Sequence, residues 1–172
     1  MRKLIGILLI FILIVLSMFV QSNILNKVKI FGVRPNVLLV IVVAISLWYG
    51  LYIGTIFGAL FGLIADSWFS LGIGKYLIMF TLISILVGYF NKNYKKENII
   101  TLIYLVFNFT VIFEFLIAVK SAIINKEMFN LFVLLKFEVI SLVFNILLAF
   151  VMYYILAYIC NKIEDLMAED RW

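Results

Sequence analysis

Long apolar runs separated by short polar segments dominate this chain. A helix that crosses the hydrocarbon core of a membrane needs about 20 predominantly apolar residues. The pattern therefore predicts an all-α polytopic membrane helix bundle, organised as a single integral membrane domain over residues 1–172. The predicted spans are roughly 4–20, 37–48, 51–66, 75–90, 99–119 and 131–159.

The second and third runs are short, and only Tyr49-Gly50 separates them. They form either a tight helical hairpin or one bent, partly re-entrant element, because irregular backbone at membrane depth must be buried by other protein. The last two runs are long enough to be unambiguous spans. We therefore predict six transmembrane helices, with five as the alternative.

Composition supports the same class of protein. Hydrophobic residues make up 67% of the chain and charged residues 13%, whereas a soluble domain carries about 45–50% and about 25%. The chain carries a net charge of +5, and most of its 14 Lys and Arg residues lie in the polar segments outside the apolar runs. A nucleic-acid surface needs those residues clustered on one water-facing patch. We therefore expect membrane lipid around the chain and no nucleic-acid partner.

Catalytic chemistry has little support in the sequence. Histidine is absent, and histidine is the commonest metal ligand and the usual general base near neutral pH. The single cysteine, Cys160, excludes an intramolecular disulfide. H-E-x-x-H, G-x-S-x-G and glycine-rich phosphate-binding motifs are also missing. We predict a non-enzymatic protein with no catalytic residues, no cofactor and no metal.

The first apolar run predicts a retained helix rather than a signal peptide. Its length of about 17 residues exceeds the ~7–15 of a signal sequence. Lys and Arg divide equally between the two sides of the predicted bundle. The orientation therefore rests on Arg2-Lys3 beside the first helix, which favours a cytoplasmic N-terminus. With six spans, the C-terminus is cytoplasmic as well.

A glycine ladder is the most regular feature of the sequence. Gly50, Gly54, Gly58 and Gly62 recur every four residues, and Asp66 takes the fifth position. Four-residue spacing keeps these positions on nearly one face of a helix. Lipid offers no hydrophobic reward for helix association, so small residues allow the close contact that holds membrane helices together. The ladder either packs within its own chain or forms a groove for another protein's helix.

Charged residues inside the apolar runs form a second candidate site, which we call the polar cluster. Asp66, Glu114, Glu138 and Lys136 lie at similar depth in the outer part of the predicted bundle. Acids in a membrane are costly and point to function or to pairing. We predict that the acids pair with lysines, Glu114 with Lys136 in particular. The alternative is that each charge snorkels independently. Asn145 follows Glu138 on the same helix face.

Arg34-Pro35-Asn36 precedes the second apolar run. Pro35, the only proline, suits the first turn of a helix, where its missing N–H has no helical partner to lose. We therefore predict that this helix begins here, with Arg34 at the membrane interface.

Several of these features together carry a family resemblance. They are, in order, Arg34-Pro35-Asn36-Val37-Leu38-Leu39, Trp48-Tyr49-Gly50, the glycine ladder through Asp66, Leu71-Gly72 and Tyr76. This pattern resembles the rod shape-determining protein MreD, and the chain length and the number of apolar runs are similar too. Family members often have aspartate at the position of Asn36.

The resemblance implies a scaffold or regulator of cell elongation in the bacterial cytoplasmic (inner) membrane. It implies binding to MreC, a single-span protein, and action with MreB and the RodA/class B penicillin-binding protein pair in peptidoglycan synthesis. It also implies a fold similar to the substrate-binding S-components of energy-coupling-factor transporters. That similarity supplies an alternative function, vitamin binding in an outward-facing pocket. An ion or proton channel has less support, because the acids form no relay across the membrane.

Overall fold

The computed structural model describes residues 12, 15–25, 32–33, 35–69, 74–91, 98–125 and 131–168. A π-helical turn, Val20–Leu25, precedes four helices. These are α1 (Val37–Phe69), α2 (Lys75–Phe90), α3 (Ile99–Asn125) and α4 (Leu131–Ala168). The predicted all-helical class is confirmed for this part of the chain.

Helix α1 is interrupted at Gly50, whose backbone angles of φ 76° and ψ −165° lie outside the helical region. A positive φ of this size is accessible to glycine at little cost. A Cβ atom on Gly54 would lie 2.8 Å from the Cα atom of Ser46, whereas eight residues of unbroken helix span about 12 Å. The chain therefore reverses at Gly50. Residues 37–49 (α1a) and 51–69 (α1b) form the tight helical hairpin.

Helix α1a is the core of the molecule. Every side chain from Val37 to Trp48 is at most 3% exposed. A helix that is apolar all round must be covered all round, and here α1b, the other helices and the segment around Met18 cover it. Its 13 residues span only about 20 Å. The first backbone N–H groups of a helix have no acceptors within it. Because the start of α1a is buried, other parts of the protein must accept these hydrogen bonds.

Three helices of the described region are long and apolar enough to cross a membrane: Val37–Phe69, Ile99–Val119 and Leu135–Ile159. Lys75–Phe90 is a shorter apolar helix. Large apolar side chains such as Tyr52, Ile78 and Phe150 cover the outer surface, as a lipid environment allows. The structure supports a membrane protein. The count of six spans stays a prediction, and most of the predicted span 4–20 lies outside the described residues.

Candidate functional site

The glycine ladder faces helices of its own chain. Gly54 packs on α1a, as described above. A Cβ atom on Gly58 would overlap the Oγ atom of Ser84 in α2, and one on Gly62 would overlap the Cα atom of Leu77 in the same helix. This face is therefore filled. The glycines pack against helices of their own chain. A helix of another protein has no room at these positions.

The close approach continues at the other end of α2. A Cβ atom on Gly88 would lie 2.6 Å from the Cα atom of Leu51. One on Gly50 would lie 3.0 Å from the Nδ2 atom of Asn91. Small residues on both helices thus let α1b and α2 pack at backbone distance along their length.

Asp66 ends the ladder and is 1% exposed. Its carboxylate accepts three backbone N–H groups at the start of α2. Gly74 donates to Oδ2 at 2.7 Å, Tyr76 to Oδ1 at 2.8 Å and Leu77 to Oδ2 at 3.0 Å. The first N–H groups of a helix lack intrahelical acceptors, and the helix dipole favours a negative charge at that end. Asp66 of α1b therefore caps α2 and does not snorkel to the interface.

A second capping arrangement holds the start of α1a. Asn36 caps its own helix, since its Oδ1 atom accepts the N–H of Leu39 at 3.1 Å. Gln21 accepts the N–H of Val37 through Oε1 at 2.9 Å and donates through Nε2 to the Pro35 carbonyl at 2.9 Å. Side chains remote in sequence thus satisfy backbone groups that water cannot reach.

This arrangement refines the predicted helix entry. The helix begins at Val37, so Pro35 precedes the capping residue Asn36 instead of lying in the first turn. Aspartate, which the family resemblance leads us to expect at this position, is an equally good capping residue. Arg34 lies outside the described residues.

Polar side chains connect α3 and α4. Asn145 donates through Nδ2 to Thr110 Oγ1 at 3.1 Å. Ser141 donates to Glu114 Oε1 at 2.8 Å. Thr110 and Glu114 are four residues apart on α3, and so are Ser141 and Asn145 on α4. Each pair therefore shares one helix face, and the two hydrogen bonds form successive rungs between antiparallel helices.

The predicted polar cluster is only partly assembled. Glu138 is 9% exposed, shares the α4 face of Ser141, and lies within electrostatic range of Glu114. Lys75 also lies within electrostatic range of Glu114. Lys136, by contrast, is exposed, and the described residues contain no ion pair between it and Glu114. Lys136 is two residues from Glu138, and positions two apart on a helix do not face the same way.

The Glu138 carboxyl group differs from the hydrogen-bonded polar side chains described above. Its Oε1 atom is buried and has no hydrogen-bond partner among the described residues. Asp66 and Asn36 instead accept backbone N–H groups at the starts of α2 and α1a, and Asn145 accepts the backbone N–H of Asn36. No group of three or more His, Cys, Asp or Glu residues that suits a metal occurs among the described residues. The arrangement stabilises helix ends and a helix pair.

Sequence reasoning missed Gln21, Thr110 and Ser141. For Thr110 and Ser141 a signal existed, because polar residues recur at helical spacing at 110 and 114 and at 138, 141 and 145. Gln21 gave no comparable signal, since its partners lie beyond a polar segment.

Comparison with known proteins adds the family. The chain matches the family model described as rod shape-determining protein MreD over residues 1–163. No curated protein and no solved structure matches it. The similarity to S-components thus stays a prediction. The MreD family is a shape-determining structural family that is not known as enzymatic, and membership suggests a role in rod shape determination. The chain belongs to the MreD family of rod shape-determining proteins.

Proposed function

We propose that this protein is a non-enzymatic scaffold or regulator of the bacterial cell-elongation machinery. It maintains rod shape by binding MreC and by coordinating peptidoglycan synthesis with MreB and the RodA/class B penicillin-binding protein pair. It works in the cytoplasmic membrane with both termini in the cytoplasm. The family match over residues 1–163 supports this proposal.

The observation that best supports a scaffold function is that the Asp66 carboxylate is used in hydrogen bonds to the protein backbone. A carboxylate that works in proton transfer must be able to reach the group with which it exchanges a proton. The Asp66 carboxylate is buried and accepts three backbone N–H groups of the chain. It stabilises the junction of α1b and α2. A rigid junction suits a scaffold, whose surfaces contact the helices of other proteins.

The partner must then use an outer surface. The glycine ladder is filled by α1a and α2. The outer faces carry exposed large apolar side chains, such as Ile56 on α1b, Leu86 on α2 and Phe107 on α3. These faces contact lipid or the transmembrane helix of another protein.

Co-purification tests the proposal. The tagged full-length chain is solubilised in mild detergent from cells that also express MreC. We expect MreC to elute with the chain. The control is Ser67→Ala, because Ser67 is exposed and its hydroxyl donates only to its own helix, to the Leu63 carbonyl at 2.9 Å. Stoichiometric recovery of a vitamin or of an energising transporter module, without MreC, would contradict the proposal.

The alternative, vitamin binding, has less support. An outward-facing pocket would need polar side chains from the polar segment at residues 66–75. Asp66 is committed to capping α2, Ser67 bonds its own helix, and Trp68 is 57% exposed. Ser70 lies outside the described residues. A vitamin site requires polar side chains that converge, and these three described side chains do not.

A further inference from the structure

Helices α2 and α3 contact one another at one end and separate at the other. Where they contact, the ring of Phe113 in α3 stacks with Tyr76 and Phe80 of α2 at centroid distances of 6.2 and 5.9 Å. Towards the end of α2 and the start of α3, a cleft with a cavity of about 150 Å³ opens between them.

The cleft has a buried apolar floor and partly exposed walls. Val87, Leu105 and Phe109 form the floor, at 1%, 5% and 7% exposed. The walls include Leu86 on α2 and Tyr104 on α3, at 44% and 54% exposed, together with Asn108. A cleft of this size, with an apolar floor, can accept a side chain of another molecule.

Asn108 is the polar group of this cleft. Its Nδ2 atom donates to the Tyr104 carbonyl of its own helix at 2.7 Å. Its Oδ1 atom accepts no hydrogen bond from the described residues. Asn108 is nine residues beyond Ile99, hence about 14 Å along α3. That is close to the middle of a hydrocarbon core about 30 Å thick.

We propose that the cleft between α2 and α3 is the docking site for a transmembrane helix of another protein. That helix presents a Ser, Thr, Asn or Gln side chain, which donates a hydrogen bond to Asn108 Oδ1. The inference rests on the proposed function and assigns the contact surface that it requires. Polar side chains of this kind hydrogen-bond between membrane helices.

Chemistry selects this occupant over a lipid chain. An acyl chain can fill an apolar cleft but offers no hydrogen-bond donor. An amide oxygen left without a donor at this depth carries a free-energy cost. A helix with a polar side chain both fills the cleft and donates a hydrogen bond to the Asn108 amide oxygen.

Charge selects another protein over a second copy of this chain. The segment 92–97 joins α2 to α3 at the cleft end and contains Lys92, Lys95 and Lys96. A two-fold dimer through the cleft would bring two such segments together, because both copies insert in the same direction. Like charges oppose that contact, whereas a partner with acidic residues at the same membrane surface is complementary.

Cysteine cross-linking of the full-length chain with MreC tests the site. In a Cys160→Ser background, Leu86→Cys and Tyr104→Cys place a thiol on each wall. Tyr52→Cys on α1b and Phe150→Cys on α4 are matched exposed controls, at 83% and 51% exposed in the unmodified protein. Single cysteines along the MreC transmembrane helix supply the second thiol. We expect cross-links at the walls and none at the controls.

Substitution of Asn108 supplies the second readout. Asn108→Leu should weaken MreC association about threefold to thirtyfold, the range for one hydrogen bond between membrane helices. Asn108→Gln keeps the amide and should retain most of the association. The thermal stability of the chain alone should not fall with Asn108→Leu, because Asn108 makes no bond to another helix among the described residues.

The outcomes separate this inference from the proposed function. Co-purification of MreC with cross-links only at Tyr52→Cys or Phe150→Cys overturns the cleft and leaves the proposed function intact. Failure of MreC to co-purify at all overturns both. Chain-to-chain cross-links through the walls, or unchanged association of Asn108→Leu, overturn the cleft as a site for another protein.

Discussion

The side-chain oxygen of Asn145 accepts the backbone N–H of Asn36 at 2.8 Å, across 109 residues of sequence. The amide nitrogen of the same side chain donates to Thr110. One buried residue of α4 therefore holds both the entry to α1a and the facing side of α3. This junction makes the stability of the bundle depend on a polar group inside the membrane.

Asn145→Leu should destabilise the protein. Leucine has the same number of side-chain heavy atoms and the same branching at Cγ, but it leaves the Asn36 N–H and the Thr110 hydroxyl without their partner, at a cost of about 1–3 kcal/mol for a buried unsatisfied group. Thermal unfolding in detergent measures the loss. Asn108→Leu is the matched control, because among the described residues the Asn108 side chain bonds only its own helix. Equal stability of the two variants would contradict the structural role of Asn145.

Substitution of Asp66 should show a graded effect. Asp66→Asn keeps one acceptor oxygen but loses the negative charge at the start of α2, whereas Asp66→Leu leaves three N–H groups without an acceptor. Hydrogen bonds to a charged group contribute about 1.5–3 kcal/mol each. We therefore expect the melting temperature to be highest with Asp at position 66, lower with Asn and lowest with Leu. The Asp66→Leu variant should lose several degrees or fail to accumulate in the membrane. Asp66→Leu with the stability of the unmodified protein would refute the cap.

Gly58→Ala should destabilise the α1b–α2 contact. In an exposed helix, alanine is about 1 kcal/mol more stabilising than glycine. A destabilising effect therefore shows that the added methyl group meets a packed surface. The added methyl group would overlap Ser84 Oγ and lie 2.7 Å from the Phe80 carbonyl oxygen. Ser84→Gly in the same chain should recover part of the loss, since it removes the Ser84 side chain but leaves the backbone contact. A stabilising effect of Gly58→Ala would show that this face is open.

Two double-mutant cycles separate the observed contact from the predicted one. Glu114 and Ser141 share a hydrogen bond of 2.8 Å, so combining Glu114→Leu, which removes the acceptor oxygen, with Ser141→Ala should give a coupling energy of about 0.5 kcal/mol or more. Glu114→Gln with Lys136→Gln should be additive within about 0.5 kcal/mol. Thermal or denaturant unfolding of the unmodified protein and of every single and double variant in the two cycles provides the values. A large Glu114–Lys136 coupling would restore the predicted ion pair.

The helices themselves follow from the hydrophobic pattern. Apolar runs long enough to span a membrane appear as α3 and α4, and the paired short runs appear as a hairpin because Gly50 permits the positive φ at the reversal. Four-residue spacing also predicted that the glycines permit close helix packing. The spacing identifies the face of the helix on which the glycines lie. It does not reveal which other helix packs against that face.

The polar contacts were less accessible to sequence reasoning. Asp66 caps a helix that begins after a further polar segment, and Asn145 meets Asn36 only because the bundle brings α4 to the start of α1a. Such tertiary contacts leave no periodic signal. Lys136 shows a different limit. Similar depth suggested a pair with Glu114, but the pitch of α4 turns Lys136 outward while Ser141 faces Glu114.

Cell shape tests the central claim most directly. A rod-shaped bacterium depleted of its own MreD-family protein is supplied with this chain, and cell width and length are measured by microscopy. The account predicts that the unmodified chain restores rods, that the Ser67→Ala control does the same, and that Asp66→Leu leaves cells round. Rods restored equally well by Asp66→Leu, at matched membrane abundance, would show that the capped scaffold is not needed. Failure of the unmodified chain to restore rods, when it inserts and binds MreC in that host, would contradict the role in rod shape.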